Sequence, residues 1–139
     1  MLVSTGKLVY NPKRTMIKNI DWWCVLELNN FEIMDYYRWF LDRNWYDADV
    51  RSKKRDYCRP PHHAHISIIR GEKPLKNMSD WGLLMNNKKI QFEYSNDIRQ
   101  TSKHRDGNDH FWFLDTYFPE YNLIRNHFGL KTQRNGIPF

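Results

Sequence analysis

Cysteine, glycine and long apolar runs are scarce in this chain of 139 residues. The two cysteines, Cys24 and Cys58, lie far apart and form none of the paired Cys-x-x-Cys motifs of zinc-binding domains. The six glycines form no phosphate-binding loop, no dinucleotide fingerprint and no Gly-x-Ser-x-Gly nucleophile elbow. No apolar run approaches the length of a membrane span, and the N-terminus lacks a secretion-signal pattern. These absences favour a reducing, cytoplasmic setting and a protein without contact to a membrane.

Aromatic residues and positive charge, by contrast, are plentiful. Six Trp, eight Tyr and eight Phe make up 16% of the chain, and the formal net charge is +6. Aromatic rings can build a core or stack on nucleobases. The charge favours polyanionic partners such as nucleotides or RNA, although it equally fits a mildly basic soluble protein. The length is that of a single domain, residues 1–139, with a substantial core.

A short strand is predicted over residues 63–71, after two prolines and ended by Gly71. Side chains alternate along a strand, so His65 and Ser67 point to one face, with Ile69 beside them, and Ile66 and Ile68 point to the other. An imidazole and a hydroxyl on one surface can hydrogen-bond to a phosphate and move protons around it. A pair of this kind also arises often by chance.

The surrounding segment, PHHAHISIIRGEKP, resembles the first His-x-Ser/Thr motif of the 2H phosphoesterase superfamily. It is most similar to the phage-encoded members described as RNA-repair-like or RNA-ligase-like. The similarity continues through GKLVY with Pro12, Lys13 and Arg14, and through DWW (21–23), YYRW (36–39), FEYS (92–95), DHFWF (109–113) and IRNHFGL (124–130).

This resemblance implies a metal-independent and cofactor-independent phosphodiesterase. Its substrates would be RNA ends or cyclic and 2′-5′-linked nucleotides, among them the cyclic-oligonucleotide signals of host immunity against phages. His65 would be one half of a general acid/base pair, and Ser67 would hold a phosphoryl oxygen. Weaker candidates for substrate contacts are Lys7, Tyr10, Trp39 and Arg70. Arg70 alternates to the far face, so only a bulge or the end of the strand would bring it to the substrate.

One departure from the family pattern concerns the second His-x-Ser/Thr motif. Members of the superfamily carry two such motifs facing each other across a cleft. Here His110 is followed two positions later by Trp112, and His127 by Gly129. We therefore expect the chain to be truncated before the second motif and to hold half of an active site. The alternatives are a non-catalytic module that binds a nucleotide or RNA, and a structural phage protein that retains only the fold.

The remaining patterns predict an α+β fold, with helices packed on an antiparallel or mixed sheet. Strands are predicted over 7–10, 21–28, 88–94 and 109–117, the second of them central because it is nearly all apolar. Helices are predicted over 31–43 and 79–85, and a third opens at Pro119 and stops at Gly129. Its buried stripe would comprise Tyr121, Ile124 and Phe128. Cys24 is predicted to be a buried thiol.

Two further groups of residues are candidates for ligand binding. Basic side chains cluster in the loop after the first predicted strand and in the loop after the first predicted helix, where they would contact phosphates or simply be solvated: Lys13, Arg14 and Lys18, then Arg51, Lys53, Lys54 and Arg55. A zinc site could be imagined from His62, His63, His65, Cys58, His104 and His110. The spacing argues against it, because paired cysteines and helical histidine pairs are absent, and no metal is expected.

Overall fold

The computed structural model describes residues 2–12, 20–28, 39, 65–97, 99–100 and 112–132. These residues contain an α-helix, α1 (Glu120–His127), and a 3-10 turn over Met78–Asp80. They also contain the strands β1 (Leu2–Tyr10), β2 (Cys24–Glu27), β3 (His65–Ile69), β4 (Lys89–Tyr94), β5 (Arg99–Gln100), β6 (Trp112–Phe113) and β7 (Thr116–Tyr117). The fold is α+β, as predicted. No helix among the described residues is long and apolar enough to cross a bilayer.

Five of these strands form an antiparallel sheet in the order β3-β2-β1-β4-β7, and β5 pairs with β6 in a separate ribbon. Strand β1 lies in the middle and extends five residues earlier than its apolar pattern predicts. Strand β2 has a neighbour on each side, which confirms the interior position predicted from its apolar sequence. It is shorter than predicted, because regular pairing begins only at Cys24.

The core lies on one face of the sheet, beneath α1. Residues at even positions of β4 and of β1 from Ser4 onward, such as Leu8 and Phe92, are buried, and odd positions of β4 are exposed. This period of two confirms the prediction that β4 has one wet face. Cys24 is fully buried in the same core, so the prediction of a buried thiol is confirmed. Burial raises the pKa of this thiol to about 12.

Helix α1 follows its sequence signals closely. Pro119 occupies the N-cap position, and Gly129 takes a left-handed conformation, with φ of +73°, just after the helix. The predicted stripe of Tyr121, Ile124 and Phe128 is buried against the sheet. Arg125 is buried in the same stripe, which the apolar pattern did not predict.

Arg125 ties α1 to the end of β3. Its guanidinium is 1% exposed and donates to both carboxylate oxygens of Glu72, at 2.8 Å each. Nη1 also donates to the Ile68 carbonyl and Nε to the Lys131 carbonyl, again at 2.8 Å. The guanidinium holds the pKa of the Glu72 carboxyl below its usual range, chiefly through these hydrogen bonds. The buried charge is therefore paired and hydrogen-bonded.

Two predicted elements differ from the structure. Residues 79–85 form a 3-10 turn and further turns instead of a helix, because Gly82 and Met85 adopt positive φ values that a helix cannot contain. The strand predicted over 109–117 is divided into β6 and β7, which belong to different sheets. Leu114 and Asp115 lie between the two strands and belong to neither of them.

Several predictions fall on residues outside the described part of the chain. They concern the helix over 31–43 apart from Trp39, the loop at 45–61, Cys58, His62, His63, His104, His110, and the basic residues Lys13, Arg14, Lys18, Arg51, Lys53, Lys54 and Arg55.

Candidate functional site

His65 and Ser67 lie on the face of the sheet opposite the core, referred to below as the outer face. Register fixes this assignment: Ser67 pairs with Val25, and His65 with Glu27. Val25 and Glu27 in turn pair with Val9 and Lys7, at the odd positions of β1 that point away from α1. His65 is half-buried, whereas Ser67 is only 3% exposed. Ser67 is therefore buried, whereas the His65 imidazole is partly accessible.

Ile69 occupies a different face from the one predicted. Strict alternation would place it beside His65 and Ser67, but the register between β2 and β3 shifts between Cys24 and Val25. Cys24 pairs with Ile69 while Val25 pairs with Ser67, so Ile68 is an extra residue in β3. This β-bulge sends both Ile68 and Ile69 into the core.

The same bulge brings Arg70 to the outer face. Alternation without a bulge would direct its side chain to the core side, but the extra residue reverses the phase of the strand after Ser67. The Arg70 guanidinium carbon lies 5.8 Å from the centroid of the Trp23 ring, in cation–π contact. Trp23 precedes Cys24, a core residue, and therefore stands on the outer face as well. From the sequence, Arg70 was expected to reach the substrate only if β3 contained a bulge or ended there, and β3 does contain a bulge.

Trp23 contacts all three of the other side chains. Its Nε1–H donates a hydrogen bond of 3.0 Å to Ser67 Oγ, and this contact is buried. Its ring meets the His65 imidazole edge to face, with centroids 5.5 Å apart and planes at 83°. Together with the Arg70 contact, these interactions make Trp23 the centre of a cluster of four residues: Trp23, His65, Ser67 and Arg70. We call this set the Trp23 cluster.

Trp23 was not among the residues that the sequence indicated. Its signal was present, since two tryptophans directly precede the most apolar strand of the chain. The sequence alone could not reveal that this strand pairs with β3, the strand of the His-x-Ser motif. Ser67 in β3 lies 44 residues after Trp23 along the chain.

Lys7 lies on the outer face two strands from His65. Lys89, Lys7, Glu27 and His65 form one row of directly paired positions across β4, β1, β2 and β3. Neighbouring strands are spaced by about 4.8 Å, so the backbone of Lys7 is about 10 Å from that of His65. Lys7 and Lys89 are both exposed. The row therefore places positive charge beside the Trp23 cluster, with the Glu27 carboxylate between them.

Tyr10 lies outside the Trp23 cluster. Tyr10 lies on the core face, where its hydroxyl donates to the Leu84 carbonyl at 2.7 Å and its ring packs edge-on against Trp81. Burial raises its pKa well above the usual range, so the hydroxyl stays protonated. Trp39 is helical and 47% exposed, and the residues on both sides of it lie outside the described part.

The described residues contain no group of three or more His, Cys, Asp or Glu side chains that could hold a metal ion. Apart from His65, the histidines and the cysteine of the zinc alternative lie outside those residues, so this alternative stays untested. The cluster itself offers one imidazole, one hydroxyl, one indole N–H and one guanidinium. Such a set is suited to binding an anion and to exchanging a proton with it.

Comparison with known proteins adds no relative. The chain matches no protein-family model, no curated protein and no solved structure.

Proposed function

We propose that this chain is a 2H-phosphoesterase-like protein that binds the phosphodiester of a nucleotide or RNA on its outer sheet face. We further propose that it cleaves this bond without a metal or cofactor. The observation that carries the proposal is the convergence of His65, Ser67 and Arg70 around Trp23. The resemblance of PHHAHISIIRGEKP to a His-x-Ser/Thr motif gives these groups their roles, and the α+β fold is compatible with it.

The proposed chemistry divides the work among these side chains. His65 takes the proton of the attacking water or 2′-hydroxyl as its oxygen bonds to phosphorus. Arg70 and the Ser67 hydroxyl donate to the non-bridging phosphoryl oxygens, where negative charge grows. As the bond from phosphorus to the leaving oxygen breaks, that oxygen takes a proton from a water molecule, and the imidazolium of His65 returns its proton to solvent. Lys7 and Lys89 would attract the polyanion from the side of β1 and β4.

The substrate classes under this proposal are the 2′,3′-cyclic phosphate ends of RNA, 2′-5′-linked oligoadenylate and cyclic dinucleotides. A phage protein acting in the host cytoplasm on cyclic-oligonucleotide immune signals would use the same chemistry.

Turnover of these three substrates in EDTA by the purified chain tests the proposal. Replacing His65 by Ala should lower the rate by about 10²–10⁴-fold, the usual contribution of one general acid or base. The control is His127→Gln, since His127 pairs with Asp80 at 2.7 Å, away from the Trp23 cluster, and should leave the rate unchanged. Cleavage that is lost in EDTA and restored by zinc would refute the metal-independent mechanism. Unaltered cleavage by the His65→Ala variant would show that His65 takes no part in the mechanism.

A second function, binding without catalysis, is favoured by one specific observation. Acid/base cleavage uses two proton-transferring groups, and the described residues of the Trp23 cluster supply one imidazole, that of His65. A binding module would retain affinity for the same nucleotides while product formation stays at the background rate. Measuring affinity by calorimetry beside turnover separates the two functions. Affinity that falls on His65→Ala or Arg70→Met, without detectable turnover, would establish the binding function.

A further inference from the structure

We infer that Trp23 is a positioning residue of the candidate site, which leaves the Ser67 hydroxyl proton available for a ligand and aligns His65 and Arg70 around it. The inference rests on the proposed function, because it assigns how the phosphate-binding groups are held. It adds a residue that the His-x-Ser pattern does not contain.

The hydrogen bond between Trp23 and Ser67 has only one possible direction. An indole Nε1–H is a donor and cannot accept, so Ser67 Oγ must be the acceptor of the 3.0 Å contact. The hydroxyl keeps its own proton for a different partner. Both residues are 3% exposed, and water therefore has little opportunity to compete for the indole N–H. The serine is thus available as a donor, the role that a phosphoryl oxygen requires, once the side chains that cover it move aside to admit the ligand.

Burial also makes this bond costly to lose. A buried polar group left without its partner destabilises its surroundings more than an exposed one, because water cannot replace the missing contact. Without the indole N–H, the Ser67 hydroxyl would be able to rotate and satisfy itself on a neighbouring backbone carbonyl. Its proton would then no longer point to the ligand. The effect on affinity would come through Ser67 and not through direct contact between the ring and the ligand.

Two further contacts of the Trp23 ring involve His65 and Arg70, the more accessible side chains of the cluster. The imidazole of His65 meets the ring at 83°, and the Arg70 guanidinium lies over it at 5.8 Å. Both are soft contacts, worth roughly tenths of a kcal/mol to 1 kcal/mol each. These two contacts restrict where the His65 and Arg70 side chains lie before a ligand arrives. A phenylalanine ring in place of Trp23 would largely preserve both contacts. The N–H can therefore be removed while most of the packing is kept.

A double-mutant cycle on binding tests the inference. The affinity of inorganic phosphate and of 2′,3′-cyclic AMP is measured by NMR titration for the wild type, Trp23→Phe, Ser67→Ala and the double variant. Trp23→Phe should weaken 2′,3′-cyclic AMP by about fivefold to tenfold, the loss expected for one hydrogen bond. In the Ser67→Ala background, Trp23→Phe should change the affinity by less than about twofold, because Trp23 can no longer act on the ligand through the Ser67 hydroxyl.

Trp22→Phe is the matched control. The Trp22 ring packs edge-on against Trp81, with centroids 5.2 Å apart, so its replacement should leave the affinity unchanged. Ser67→Thr, which retains a hydroxyl, should keep the sensitivity to Trp23→Phe that Ser67→Ala abolishes.

The results that would contradict the proposed function differ from those that would contradict the inference about Trp23. A wild-type chain that binds neither probe would overturn the proposed function, and the inference with it. A wild type that binds, with equal losses from Trp23→Phe whether or not Ser67→Ala is also present, would overturn the inference alone. If Trp23→Phe fails to fold, the Trp23 indole proton of the intact protein is followed instead. Its resonance should shift on ligand addition and exchange faster with water in Ser67→Ala, and an indole signal that does neither contradicts the inference.

Discussion

Replacing Arg125 by Met should destabilise the fold strongly, although the new side chain is apolar and of similar length. The guanidinium is 1% exposed and donates to the Ile68 carbonyl, the Lys131 carbonyl and both oxygens of Glu72. The Ile68 contact is buried, and an unsatisfied buried acceptor costs about 1–3 kcal/mol. The Glu72 carboxylate is 39% exposed, so water recovers much of its lost pairing and leaves about 1 kcal/mol.

Together these losses amount to about 3 kcal/mol, with the Lys131 carbonyl contributing least because it is only partly buried. For a chain of this length, that value corresponds to a fall in Tm of about 10 °C. Urea unfolding followed by circular dichroism measures the free energy directly, and the midpoint should fall without a change in slope.

Arg99→Met is the matched control. Arg99 also pairs with a carboxylate, that of Asp115, but both side chains are substantially exposed. Exposed ion pairs contribute about 0–1 kcal/mol, so this variant should stay close to the wild type. Equal losses from the Arg99 and Arg125 variants would refute the argument that burial of the Ile68 contact sets the cost. So would an Arg125 variant within about 0.5 kcal/mol of the wild type, the range of ordinary surface substitutions.

Three other predictions concern single residues. Because its folded pKa is depressed, Glu72 contributes stability above its unfolded pKa, and this contribution disappears as pH falls through the folded value. Thermal melts between pH 6 and 3 should therefore show a smaller loss for Glu72→Gln than for the wild type; parallel curves would contradict this. Cys24, in a Cys58→Ser background, should react with iodoacetamide at pH 8.5 at least about 100-fold more slowly when folded than in urea, because its pKa is about 12. Mass spectrometry measures this, and rapid native labelling would show that the thiol is accessible. Gly6→Ala should cost about 1–3 kcal/mol in urea unfolding, because its new Cβ would lie 2.6 Å from Leu26 Cγ; an unchanged midpoint would mean that β2 moves aside freely.

The elements that the sequence predicts best are those whose signals are local. In β4, polar and apolar residues alternate without a break, and helix α1 carries Pro119 and Gly129 at its two ends. Both elements lie where the sequence places them. The segment at 79–85 shows the converse. Its composition is acceptable for a helix, but Gly82 takes a φ of +86° in a turn whose shape is set by packing of Trp81 against Tyr10 and Phe128.

The residues of the candidate site likewise differ in whether local sequence signals predict their positions. His65 and Ser67 share a face because they are two residues apart, which is a local property of any strand. Trp23 joins them only because β2 pairs with β3, and strand pairing is a long-range property that one sequence does not reveal. The position of Tyr10 likewise depends on which face of β1 packs against the core, and the prediction of that strand did not specify the face. The strand is present, but its phase turns the hydroxyl toward Leu84 in the core.

The position of the Arg70 side chain depends on the β-bulge in β3. This bulge links the core to the candidate site. The extra residue is Ile68, and its carbonyl accepts the buried hydrogen bond from Arg125. A bulge leaves backbone groups out of the strand ladder, so a donor from helix α1 satisfies what the ladder does not. Arg125 thereby stabilises the local backbone that turns Arg70 toward Trp23. It follows that Arg125→Met should weaken 2′,3′-cyclic AMP binding even under conditions where the variant is fully folded, whereas Arg99→Met should not. A folded Arg125 variant with wild-type affinity would show that the bulge holds its shape without the helix.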